Sequence, residues 1–157
     1  MNNKIYIDLS VLINTAFLTG IQRVSREIVL RLLKSPELDI NLLCYSNENE
    51  QFRLIDNDAF IDYYENKTGS ASACILSKSL NINELDAGAV FFDIDSVWSC
   101  RMTRSTLYPL LKNQGLKIIT HVYDIIPITH PQYCHENTVM HFIEYLGATL
   151  QYADKLI

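Results

Sequence analysis

The sequence predicts an α/β domain built on a doubly wound parallel sheet. Short runs that are apolar on both faces, such as residues 4–9 (KIYIDL), 87–94 (AGAVFFDI) and 116–123 (LKIITHVY), read as buried strands. Between them lie segments whose apolar residues recur at helical spacing, and this alternation places helices on both faces of a parallel sheet. The 157 residues fit one domain, and 48% hydrophobic with 20% charged residues is an ordinary globular balance. A chain of this size buries roughly 70% of the surface its unfolded form exposes, so a sizeable core is expected.

After the first strand, residues 10–17 (SVLINTAF) carry apolar side chains where a polar loop would be ordinary. They are expected to pack over the sheet edge or to line a pocket. Ile21, Val24, Ile28 and Leu32 then mark one helical face, and Ser35-Pro36 stops the pattern. Residues 39–46 (DINLLCYS) read as the next strand, ending in the polar turn NENE. QFRLI reads as a short strand and residues 70–80 (SASACILSKSL) as a helix. Residues 103–115 predict a helix closed by Gly115, and residues 136–154 a long helix capped by Asn137 or Thr138. The final KLI reads as a strand beginning, which suggests a domain cut from something longer or a subunit completed by a partner.

Composition excludes several classes. A net charge of −5 argues against a general nucleic-acid binder, because phosphate affinity rests on clustered Lys and Arg. No apolar run approaches the ~20 residues of a membrane span and the N-terminus lacks a secretion signal, so a cytoplasmic location is expected. Cys44, Cys74, Cys100 and Cys134 are spread without a C-x-x-C pair, which predicts free thiols.

In a sheet of this kind ligands bind beyond the carboxyl ends of the strands, which directs attention to the loops after Leu9, Ile94 and Tyr123. In the stretch FLTGIQRVSREI (17–28), Thr19 can cap a helix. Gly20 there lets an anion approach the unpaired first amides, and Arg23 reaches toward it. The alternative is a plain helix entrance, with Arg23, Arg26 and Lys34 forming a solvated face. Asp93 and Asp95 form a D-x-D, a pattern that holds a divalent cation between carboxylates or simply caps the following turn. Asp124 lies where a strand-end carboxylate can reach a ligand hydroxyl, and Pro127 and Pro131 are expected to keep the next loop extended. His130, Cys134, His135 and His141 match no usual zinc spacing.

Together, IYIDLS…TGIQRVSREIVLRLL, AGAVFFDIDSVW and VYDIIPITHPQY…YADKLI resemble the N-terminal domain of bacterial GT-B glycosyltransferases of the group 1 (family 4) type, above all those that build O-antigen and other surface polysaccharides. The likeness runs from about residue 4 to the end, with residues 48–80 contributing little. It implies two Rossmann-like domains facing a cleft, of which residues 1–157 are the N-terminal, acceptor-side one and the second is absent. It further implies retaining, metal-independent transfer from a nucleotide sugar to a glycan or lipid-linked acceptor, with no other cofactor, at the inner face of the membrane. Carried residue by residue, Thr19, Gly20 and Arg23 would face the donor diphosphate. Asp124 matches the family's His-Asp segment, with Tyr123 where the histidine stands, and Asp95 and Trp98 would touch acceptor. Two rival readings follow from the same residues: a non-catalytic glycosyltransferase-like module that needs a partner, and a metal-dependent GT-A-like transferase using Asp93 and Asp95.

Overall fold

The structure, a computed structural model, describes residues 4–15 and 19–157. At its centre β1 (Lys4–Asp8) runs parallel to β2 (Asp39–Ser46) on one side and to β5 (Val90–Asp93) on the other. Beyond β5 the parallel set continues through β6 (Lys117–Thr120) and β7 (Lys155–Leu156). Beyond β2 the direction reverses in β3 (Gln51–Ile55) and β4 (Ile75–Leu80). The sheet order is therefore β4-β3-β2-β1-β5-β6-β7, mostly but not wholly parallel.

Helices cover both faces, as expected. Ile7 and Leu42 point to one side, into a cluster with Leu12 of α1 (Ser10–Asn14), Val29 of α2 (Gly20–Leu33) and Phe60 of α3 (Asn57–Tyr64). Their chain neighbours Tyr6 and Leu43 point the other way, into a cluster with Leu107 and Leu111 of α4 (Arg104–Asn113) and Ala148 of a long terminal helix. Strand side chains alternate between faces, so one apolar strand serves both layers.

Two expectations on the β2 side need correction. A four-residue turn cannot carry the chain back to the start of β2, so β3 has to run antiparallel. Residues 70–80 are not a helix either: a 3-10 turn (Ala71–Cys74) leads into β4, which pairs with β3 through Phe52↔Leu80, Arg53↔Ser79 and Ile55↔Ile75. As an edge strand with one open side, β4 carries Ser and Lys78 instead of an apolar stripe.

The buried face of α2 also differs from the expected stripe. Gln22, Ser25, Val29 and Leu30 are buried, whereas Val24 is 42% exposed. The helix is rotated because its first two turns dock through polar bonds, with Ser25 Oγ donating to the Ile94 carbonyl at 2.8 Å. At the end of α4, Gly115 adopts φ +84° and the Leu116 N–H reaches the Leu111 carbonyl at 3.0 Å, a Schellman closure that favours glycine there.

The regular strand ends at Thr120, shorter than residues 116–123 suggest, although the His121 and Val122 N–H groups still donate to the Asp93 and Ile157 carbonyls. Pro127 and Pro131 do not hold an extended loop. Each stands at a helix start, in α5 (Ile126–Thr129) and in a 3-10 turn (Pro131–Tyr133), where the missing proline N–H costs nothing. The cap of α6 (Glu136–Tyr152) is His135, whose Nδ1 accepts from the Asn137 N–H at 3.2 Å, and not Asn137 or Thr138.

From β1 the chain winds first to β2 on one side, while β5 lies on the other. The strand order thus switches between β1 and β5, and a crevice opens at their carboxyl ends.

Candidate functional site

The crevice stands on a buried ionic frame. Asp8 ends β1, Asp93 ends β5 and Arg104 opens α4, all within 1% of full burial. Arg104 donates through Nε to Asp93 at 2.6 Å and through Nη2 to Asp93 at 3.0 Å and Asp8 at 2.7 Å. Tyr108 donates to Asp93 at 2.6 Å and meets the Thr120 hydroxyl at 3.1 Å, which ties in the end of β6. Charged groups this deep are tolerated only when paired and hydrogen-bonded.

Asp95 does a different job. Its carboxylate, 2% exposed, accepts from the backbone N–H groups of Val11 (2.9 Å), Leu12 (2.7 Å) and Ser96 (2.7 Å), and so holds the first turn of α1. The D-x-D therefore splits: Asp93 is engaged by a guanidinium and a phenol, Asp95 by amides, and neither lines either of the two cavities described below. Among the described residues no group of three or more His, Cys, Asp or Glu side chains is placed to hold a metal ion.

Burial outweighs the amide bonds at Asp95 and pushes its carboxyl up to about 6 from an ordinary 3.8. An acid held above its unfolded value binds more protons when folded, so its stabilising contribution is complete below the unfolded value and is lost as pH rises through the folded one. Relative to Asp95→Asn, the wild-type protein is expected to lose roughly 3 kcal/mol of stability between about pH 4 and pH 6. Denaturant midpoints for both proteins across that range check it. Parallel pH profiles would contradict it.

The start of α2 is fixed to the loop after β5. The Gln22 amide oxygen accepts from the Thr19 N–H at 3.2 Å and from the Thr19 hydroxyl, while Gln22 Nε2 donates to Ser96 Oγ at 2.5 Å. Thr19 is the N-cap, as expected, and Gly20 is exposed with open space around it. Arg23 is exposed one turn on. Helical side chains lean toward the N-terminus, so Arg23 can reach back toward Gly20 and Thr19, three and four positions earlier. Its guanidinium has no side-chain partner among the described residues. Phe17 and Leu18 lie outside the described residues.

Two cavities open at this edge. An apolar one of about 200 Å³ is lined by Ile21, Trp98, Tyr123, Asp124, Phe142 and Tyr145 among others. Trp98 stands edge-on to Phe142 with ring centres 5.5 Å apart, and His121 lies 4.3 Å from Tyr123. Burial lowers the His121 pKa and raises that of Tyr123, so both rings are neutral near pH 7. The Tyr123 hydroxyl is occupied, donating to the Ile94 carbonyl at 2.8 Å and meeting Ser25 Oγ at 2.9 Å. Asp124 at the rim is exposed, with Oδ1 accepting from the Ile126 N–H at 2.9 Å. The structure thus gathers Tyr123, Asp124 and Trp98 at one pocket beside the α2 entrance, while Arg23 lies on the outer side of that entrance and Asp95 lies beneath the surface.

The larger cavity, about 580 Å³, sits at the switch point and is lined by polar groups from four segments, including Asn14, Ser46, Glu48, Arg53 and Arg101. The segment from residue 10 therefore does both expected things, burying Leu12 and Ile13 and lining a pocket with Val11 and Asn14. None of the Glu48, Arg53 and Arg101 contributions is visible in a sequence motif. Cys44 and Cys100 also line this cavity, and burial pushes their thiols up to about 11 and about 12. Such thiols stay protonated and unreactive. All four cysteines are free, as expected.

Helices on both faces of a mostly parallel sheet, with a switch point opening onto two cavities, define an α/β domain of the Rossmann-like class. Over 98% of its length the chain is similar to three proteins described as the serotype-specific mannosyltransferase WbdA of Escherichia coli, at 28%, 28% and 27% identity. It spans only 17–18% of the length of those relatives. No protein-family model matches the chain, and no solved structure matches it significantly. No helix among the described residues is long and apolar enough to cross a membrane.

Proposed function

We propose that this chain is the N-terminal, acceptor-side domain of a retaining GT-B glycosyltransferase of surface-polysaccharide biosynthesis, which moves a sugar, mannose by analogy with its relatives, from a nucleotide sugar to a glycan or lipid-linked acceptor. The observation that carries this reading is the arrangement of three features at one sheet edge: an exposed helix N-terminus, an exposed arginine one turn on that has no side-chain partner among the described residues, and an aromatic pocket beside the helix entrance. The first amides of α2 and Arg23 suit a diphosphate, whose charge grows as the sugar–phosphate bond breaks. Trp98 and the Tyr123 ring give an apolar wall against which a sugar's C–H face can lie, and the free oxygen of Asp124 can accept from a sugar hydroxyl. The second domain, which the relatives' greater length leaves room for, would close over the donor from the other side.

The engagement of Asp93 and Asp95 within the protein supports metal-independent transfer over a D-x-D metal site. Transfer by the full-length protein is accordingly expected to proceed in EDTA at the rate seen with added Mn²⁺, measured as labelled sugar incorporated per minute. A rate that collapses in EDTA and returns with Mn²⁺ would support the metal-dependent reading instead.

A further inference from the structure

We infer that the outer groove of α2 is a docking surface for the acidic outer row of α6 on a second copy of the protein. The inference stands apart from the glycosyltransferase reading. It starts from the rotation of α2: with Gln22 and Ser25 turned inward for their hydrogen bonds, the helix leaves Val24 42% exposed. Val24 and Ile28 form the apolar floor of a groove of about 250 Å³, and Arg23, Glu27 and Arg31 form its sides. Glu27 is taken by Arg26, which donates to it through Nη2 at 2.7 Å. Arg23 and Arg31 have no side-chain partner among the described residues. In a chain of net charge −5, this helix and its cap carry Arg23, Arg26, Arg31 and Lys34 against one acid. A concave apolar floor between two open guanidiniums fits a protruding apolar side chain flanked by carboxylates. A bilayer would need the apolar groups to protrude instead.

The outer side of α6 presents that pattern. Glu136, Met140 and Glu144 follow one another at four-residue spacing along one helical row, and Met140 is 63% exposed. Glu136 is exposed, and Glu144 accepts from the Ser105 N–H through Oε1 at 3.0 Å, which leaves its Oε2 open. From residue 118 to 154 the sequence has four acids and no Lys or Arg. The spacing matches as well: Arg23 and Arg31, like Glu136 and Glu144, stand roughly 12 Å apart along their helix. Laid along the groove, α6 sets Met140 on Val24 and Ile28 with one carboxylate at each arginine, and methionine's flexible thioether suits such a floor. Because α2 and α6 cover opposite faces of the sheet, each copy offers α2 to one neighbour and α6 to another, a head-to-tail contact. One helix on one helix buries less than the roughly 800 Å² per partner of a stable interface, so the association is weak and depends on its charges. Arg23 is shared: a diphosphate held at the head of α2 would take it from the contact.

The test is sedimentation velocity of the full-length protein at low and high salt, with Arg31→Glu, Glu136→Lys and an equimolar mixture of the two, both changes being at exposed positions. Wild type is expected to self-associate with rising concentration at low salt and to come apart at high salt. Each variant alone should associate at least about tenfold more weakly. The mixture should form a one-to-one complex of wild-type strength, because Arg31 of the second variant meets Glu136 of the first. Wild type that stays monomeric at every concentration, or variants that associate as wild type does, would overturn the inference. So would a mixture that stays apart while both variants keep the wild-type circular dichroism. Phosphatidylglycerol vesicles form the last arm: wild type that binds them through Arg31 and does not self-associate would give the groove to a lipid surface and overturn the inference too. No arm reads sugar transfer, so failure here leaves the glycosyltransferase reading standing.

Discussion

Replacing Arg104 by alanine is expected to lower the unfolding free energy by roughly 3–5 kcal/mol, because it strands two buried carboxylates in a site from which water is excluded. For a domain of this size that is a fall in Tm on the order of 10 °C or more. Asp8, Asp93 and Arg104 join the ends of β1 and β5 to the start of α4, so the loss should be felt across the crevice and not at one contact. The exposed pair of Lys34 and Glu65, at 2.6 Å with side chains 59% and 33% exposed, provides the comparison. Lys34→Ala is expected to cost no more than about 1 kcal/mol, since solvent screens such pairs. Urea denaturation of both variants separates the cases. An Arg104→Ala loss as small as that of Lys34→Ala would mean that the frame is not closed as described.

The second large effect is catalytic. Arg23→Ala should reduce kcat/KM for the nucleotide sugar at least tenfold, about 1.4 kcal/mol of barrier, if its guanidinium meets the departing diphosphate at the head of α2. Arg31, exposed two turns further along the same helix, carries the same charge away from the helix entrance. Arg31→Ala is expected to leave the rate unchanged, which distinguishes a placed contact from general attraction. Equal rates for wild type and Arg23→Ala would return Arg23 to an ordinary solvated face.

How far these residues could be read in advance follows from where their partners lie. The central strands and both helical layers were legible, because apolar runs and helical spacing are local signals that tertiary packing reinforces. The edge strand β4 was not, since half its groups face solvent and its Ser and Lys residues erase any alternation. The buried face of α2 was misplaced for a related reason: Gln22 and Ser25 are buried as hydrogen-bond partners of Ser96, Ile94 and Tyr123, and a hydrophobic pattern cannot register polar residues that are buried for their bonds.

The acids show the same limit. Asp93 and Asp95 look alike as a D-x-D, and what separates them is Arg104, eleven positions after Asp93, and the amides of Val11 and Leu12, more than eighty positions before Asp95. Thr19 is legible because a helix cap has a local signature, whereas Asp124, expected at a strand end, lies in the loop four residues past Thr120 because the strand stops early. The switch-point cavity was invisible because its walls come from segments that share no motif and meet only when β1, β2 and β5 align.

Sugar transfer is the property on which the other assignments depend. The most direct measurement incubates the full-length protein with labelled nucleotide-activated mannose and a neutral mannose oligosaccharide in EDTA, and follows label in the lengthened glycan together with its anomeric configuration by NMR. The account predicts incorporation with the donor's configuration retained. Folded protein that neither transfers nor hydrolyses any nucleotide sugar, or that transfers with inversion, would contradict it.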